Sequence, residues 1–121
     1  MCIRDSYSEI DVTEFAGVNL VDTQPEFGHT VLPASPQLVG VFDHHVPPED
    51  ATDRTPPLHG DVRLGLGATS SMIYEYLRDA DVELDERTAS ALFCGVRYDT
   101  KDLSRNVSPL DEEAYLSLIH I

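Results

Sequence analysis

The sequence predicts an α/β fold: three layers with a mainly parallel sheet. Three observations predict it. Short apolar runs bounded by turn residues fill the first half. Apolar residues at helical spacing fill the second half. Two of the apolar runs also stop on an aspartate, as strands do where they deliver side chains to a ligand crevice.

Val18–Val21 reads as the first strand, stopping at Asp22, and Leu38–Phe42 as the second, stopping at Asp43. Uniformly apolar runs of this length suit a parallel sheet covered on both faces. Between them, 24–37 holds Pro25, Gly28, Pro33 and Pro36 and reads as a loop with at most one turn of helix. The polar, proline-rich stretch 46–60 reads as a surface loop, with His59 solvated in it, and Asp61–Leu64 as a third strand. Met72, Ile73, Tyr76 and Leu77 recur at helical spacing within Ala68–Ala80, with Thr69 or Ser70 as the expected cap. Asp85 caps a second helix that carries Thr88, Leu92 and Val96 at intervals of four. Ser108-Pro109-Leu110-Asp111 opens a third helix, with proline at its first position. The expected order is three strands followed by three helices.

The 121 residues suffice for one domain, and 41% hydrophobic with 25% charged residues is an ordinary globular balance. No apolar run approaches bilayer length and no signal-peptide pattern opens the chain, so a cytoplasmic protein is expected. Net charge is −14, from 22 acidic and 8 basic residues, and Lys101 is the sole lysine. Such a surface repels nucleic acid at long range, which argues against non-specific duplex DNA binding. It also suits a halophile, whose acidic surface stays hydrated in salt. Cys2 and Cys94 form no disulfide framework, and Cys94, in an apolar helical stretch, reads as a buried inert thiol.

The two ends read as foreign. Residues 1–6 (Met-Cys-Ile-Arg-Asp-Ser) and 116–121 (Leu-Ser-Leu-Ile-His-Ile) resemble the forward and reverse-complement translations of one short DNA, similar to the mosaic end of a sequencing transposon. On that reading residues 7–115 are an internal piece of a longer protein, incomplete at both ends.

Asp22, Asp43 and Asp99 each close an apolar segment, and His44 and His45 follow Asp43 directly. Carboxylates gathered at one rim need a cation to stay ionised together. Oxygen ligands with an imidazole suit Mn²⁺ or Mg²⁺ better than a thiolate-seeking zinc site. Two such ions, about 3.5–4 Å apart, can share a carboxylate, activate a water and clamp a phosphoryl group. Each residue also has a plainer reading. Asp22 can close a turn through its side chain, a histidine pair can be surface polarity, and Asp99 can simply end a helix. An unpaired carboxylate at a helix C-terminus, however, meets an unfavourable dipole.

At these residues the sequence resembles the DHH family of phosphoesterases, of the RecJ-like, oligoribonuclease and cyclic-dinucleotide phosphodiesterase type. Val41-Phe42-Asp43-His44-His45 resembles the signature that names the family, and Leu20-Val21-Asp22-Thr23 its second motif. The run Leu92–Thr100, with Gly95 ahead of Asp99-Thr100, resembles its fourth motif. Gly67–Ser71 is similar to the helix start between them. The resemblance covers residues 17–110. It implies a DHH domain using two Mn²⁺ ions, with Mg²⁺ as the alternative, to hydrolyse phosphodiester or phosphomonoester bonds of small nucleotides or short single-stranded oligonucleotides.

Carried over to this chain, the resemblance makes Asp22, His44 and Asp99 metal ligands, with Asp22 bridging both ions. It makes Asp43 the partner that fixes a histidine tautomer, and His45 the group that meets the phosphate or moves a proton. Among groups able to reach a substrate, Arg105 leads, with His29 second; Arg97 and Asn106 read as ordinary surface groups. The family's first motif, His-x-x-x-Asp-x-Asp, and its C-terminal substrate domain are absent, so the 121 residues alone are expected to bind metal poorly and to lack catalysis. The rival expectation is a nucleotide-sensing or regulatory domain with a degenerate site. A dinucleotide-binding fold is disfavoured, because the glycine-rich fingerprint it needs is not present.

Overall fold

The computed structural model describes residues 14–27, 37–49 and 57–121. The expected order is observed: β1 (Val18–Val21), β2 (Leu38–Asp43) and β3 (His59–Val62), then α1 (Thr69–Asp79), α2 (Glu86–Asp99) and α3 (Pro109–Leu118). The chain divides into two compact units, Met1–Val62 and Arg63–Ile121. No helix among the described residues is long and apolar enough to cross a membrane.

In the first unit the three strands are parallel, in the order β1-β2-β3. β2, Leu-Val-Gly-Val-Phe-Asp, is the central strand, and its apolar and β-branched residues suit the pleat. Leu20, Leu38 and Val41 form the core of this unit, with Val18 packed against them. Asn19 pairs with Gly40, where a Cβ would lie 2.7 Å from the Asn19 side-chain oxygen and from the Phe42 ring. Glycine therefore lets β1 and β2 close up just before their ends. The Asp22 amide donates to the Phe42 carbonyl at 2.9 Å, so the ladder runs up to the two strand-end aspartates.

The third strand differs from expectation. It runs from His59 to Val62, not from Asp61 to Leu64, and His59 is an exposed strand residue rather than part of a loop. His-Gly-Asp-Val has little intrinsic strand preference. Its strand character comes from pairing with Gly40–Asp43. The alternation of Val62, Leu64 and Leu66 is misleading, because the Leu66 amide donates to the Arg63 carbonyl and turns the chain there.

In the second unit the helices surround a core of Ala68, Tyr74, Ala89, Val96, Ala114 and Leu118. Leu118, from the segment read as adapter-derived, thus packs in this core. Asp85 caps α2 as expected, accepting from the Thr88 amide at 2.8 Å. Ser108 caps α3 with a reciprocal capping box to Asp111 and Pro109 in the first turn. For α1 neither Thr69 nor Ser70 is the cap. Ala68 holds that position without a side-chain bond, and Thr69 is buried as the first helical residue.

The nearby polar groups serve another acceptor instead: Asp111, fully buried. It receives the Gly67 amide at 2.8 Å and the Ser71 hydroxyl at 2.6 Å. It also receives the Ser108 amide at 2.7 Å and the Ser108 hydroxyl at 2.6 Å. Cys94 is exposed, contrary to the buried thiol expected. Val96 and Ala89 take the inner face of α2, and Leu92 and Phe93 pack beside them. Cys94 is rotated away and lines an open cavity with Arg97, Tyr98, Lys101, Asp102 and Arg105.

Candidate metal centre

The C-terminal ends of β1 and β2 carry the candidate site. Parallel pairing places Val21 beside Phe42, so the next residues, Asp22 just after β1 and Asp43 as the last residue of β2, sit at the same rim. Asp22, Asp43, His44 and His45 each offer a ligand atom, and all four atoms lie within 4.8 Å of one another. Two carboxylates and two imidazoles at that separation can hold a metal ion.

The four residues are not equivalent. Asp43 is fully buried, and its Oδ1 lies 2.8 Å from His45 Nδ1. His44 is mostly buried, with Nε2 shut off from solvent and 3.4 Å from Asp22 Oδ1. Asp22 and His45 are about half exposed, at 49% and 48% of their side-chain surface. The two imidazoles are adjacent, with ring centres 4.2 Å apart, and Phe27 meets His45 edge-on at 6.0 Å. Asp22, Phe27, His45 and Val46 line an open cavity of about 410 Å³. The site therefore has a buried floor, Asp43 and His44, and an accessible rim, Asp22 and His45.

Asp22 adopts φ 62°, the left-handed conformation. Aspartate tolerates this better than most residues, yet it remains uncommon outside glycine and is typical of functional turns. The strand ends abruptly there, and the carboxylate turns toward His44.

The remaining expectations divide by unit. Asp22 and His44 come together with the Asp43–His45 pair in the first unit. Asp99 closes α2 in the second unit, where its carbonyl accepts from Arg105 Nη2 at 2.8 Å. Arg105 is exposed and caps that helix end. Arg97 pairs with Asp102 at 2.6 Å, which raises the guanidinium pKa and lowers that of the carboxyl. His29 lies outside the described residues. One residue that sequence reasoning missed is Gln24. It is buried, and its side-chain Nε2 donates to Asp43 Oδ2 and to the His45 carbonyl, both at 2.7 Å. A glutamine two positions after a strand carries no spacing signal of its own.

The fold and the site define a mixed α/β protein with a three-stranded parallel sheet and an Asp/His cluster able to hold a metal ion. No family model matches the sequence. Over 107 residues, 88% of its length, the chain is 35% identical to an uncharacterized protein of Methanocaldococcus jannaschii. It spans about a fifth of that protein, 21% of its length.

Proposed function

We propose that this chain carries part of the centre of a DHH-type phosphoesterase. It acts with two Mn²⁺ ions, or Mg²⁺, on phosphodiester or phosphomonoester bonds of small nucleotides or short single-stranded oligonucleotides. One observation carries the reading. Asp22 and the Asp43-His44-His45 run converge at the ends of adjacent parallel strands, with ligand atoms within 4.8 Å. The donor set is compatible with that metal: carboxylate oxygens and imidazole nitrogens, with no thiolate among the four clustered residues, can hold Mn²⁺.

In this reading Asp22 and His44 hold metal. Asp43 fixes the orientation of His45. His45, at the accessible rim, accepts or delivers a proton at the substrate. Bound ions would polarise the phosphoryl group and acidify a water. The acidic surface mildly disfavours long duplex DNA; small nucleotides and short single strands are the substrate class that the resemblance implies.

The test has two arms. The weak Mn²⁺ binding expected of the 121-residue chain is followed by electron paramagnetic resonance, up to millimolar Mn²⁺, for wild type, Asp22→Asn and Glu113→Gln. Each substitution removes one negative charge, and Glu113 is an ion-pair partner of Arg78 on α1. Site binding should weaken at least about tenfold in Asp22→Asn and stay unchanged in Glu113→Gln. Equal affinities in all three would remove Asp22 from the site. The second arm assays the whole M. jannaschii protein for Mn²⁺-dependent hydrolysis of bis-nitrophenyl phosphate and of a dinucleotide. No turnover in either would sink the phosphoesterase reading.

A further inference from the structure

We propose that Gln24 is a positioning residue. Its carboxamide clamps Asp43 and the His45 backbone together, so that His45 presents Nε2, as the lone-pair nitrogen, to the cavity it shares with Asp22, Phe27 and Val46. The role of His45 at a substrate rests on the phosphoesterase reading; the clamp and the tautomer do not.

A primary carboxamide nitrogen carries two hydrogens. Gln24 Nε2 faces two acceptors at 2.7 Å, Asp43 Oδ2 and the His45 carbonyl oxygen. The opposite amide orientation would set its oxygen against both, so the acceptors fix which way the group points. Asp43 is fully buried, and an ionised carboxylate only accepts. With Oδ2 held by Gln24, Oδ1 is turned to His45 Nδ1 at 2.8 Å, and with the carboxylate as acceptor that nitrogen is the donor. A neutral imidazole with its proton on Nδ1 leaves the lone pair on Nε2. His45 is half exposed and lines the cavity, so the acceptor nitrogen is the one available to a ligand.

The clamp also ties two segments. Gln24 follows Asp22 by two residues, and its bond to the His45 carbonyl crosses 21 residues of sequence. The turn that carries one candidate ligand is therefore fastened to the loop that carries the others. Without Gln24, the Asp43 carboxylate can rotate, and the turn after β1 loses one of its ties to the loop after β2. Partners of this kind typically change metal affinity by roughly 10–100-fold when removed.

The experiment uses the metal-free 121-residue chain, labelled with ¹⁵N in histidine and glutamine, at a pH where imidazole is neutral. Long-range ¹H–¹⁵N spectra read each histidine tautomer, and His45→Gln identifies the His45 signals. In wild type, His45 is expected as a single tautomer protonated on Nδ1, with the Gln24 carboxamide protons protected from solvent exchange. In Gln24→Met, which keeps the volume without the donors, His45 should become a mixture of tautomers, and Mn²⁺ affinity should fall roughly 10-fold or more. Gln24→Asn, one methylene short of both acceptors, should shift in the same direction.

A wild-type His45 protonated on Nε2, or rapidly exchanging Gln24 amide protons, overturns the proposal. So does an unchanged tautomer in both variants. Should both variants fail to fold, the two wild-type readings decide. Loss of hydrolysis in the whole homologue with the tautomer result intact would remove the phosphoesterase reading and leave the clamp standing.

Discussion

Asp22 combines a left-handed backbone with a carboxylate facing the mostly buried imidazole of His44. The conformation costs an ordinary L-residue about 1–2 kcal/mol, while asparagine and aspartate reach it more easily. Asp22→Ala and Asp22→Asn should therefore separate backbone from ligand. Both lose Mn²⁺, but in metal-free urea denaturation the alanine variant should be about 1 kcal/mol less stable than the asparagine variant. Equal stabilities would mean that φ at Asp22 relaxes at no cost. At Asp43 the stake is burial. Its removal takes one acceptor from the Gln24 amide and the acceptor facing His45 Nδ1, so Asp43→Ala should cost about 1–3 kcal/mol, read by the same denaturation.

At the scale of elements, α1 and α2 cross where Gly95 faces Ser70. A Cβ on residue 95 would lie 2.0 Å from the Ser70 hydroxyl oxygen and 2.9 Å from its Cβ. Rotating the hydroxyl does not remove the second clash, so Gly95→Ala should push the helices apart and cost about 1–3 kcal/mol. Ser70→Gly in the same chain should recover part of that loss; a neutral Gly95→Ala melting curve would contradict this crossing. At the start of α2, the Thr88 amide holds the Asp85 carboxyl below its ordinary value of 3.8. A depressed folded-state pKa contributes stability above the unfolded value, which is lost as pH falls through the folded one. Acid titration of stability below pH 3.8 should therefore be shallower in Asp85→Asn, whose amide oxygen still caps but does not titrate.

The helix starts at Asp85 and Ser108-Pro109 were legible because a cap and its helix are neighbours in sequence. The strand at His59–Val62 was not, because its pairing with β2 is a non-local fact that overrides a poor local preference. The exposed Cys94 was misread because Leu92 and Phe93 make that stretch look uniformly apolar, and the inward direction of a helix is set by its neighbours. For the site, the strand-end aspartates were visible as the last residues of apolar runs. The start of α1 was misplaced because Thr69 looks like a cap in sequence, whereas it is buried as the first helical residue and Ala68, with no capping atom, precedes it.

For the whole molecule, a net charge of −14 and a candidate cation site make separable predictions. Self-repulsion of the acidic surface is a long-range effect. It should shrink as the Debye length falls from about 30 Å at 0.01 M salt to about 8 Å at 0.15 M. Raising NaCl across that range should therefore raise the melting temperature of the chain, equally in wild type and in Asp22→Asn. Site binding is short-range and acts by mass action. A cation at 100 times its dissociation constant adds about 2.7 kcal/mol to whatever unfolds with the site. Micromolar to millimolar Mn²⁺ in 0.15 M NaCl should add a second increment in wild type. That increment should appear as slowed amide exchange in β1 and β2, and it should vanish in Asp22→Asn. If Mn²⁺ stabilises both proteins alike, the ion is screening the surface as sodium does, and the carboxylates at the ends of β1 and β2 confer no selectivity.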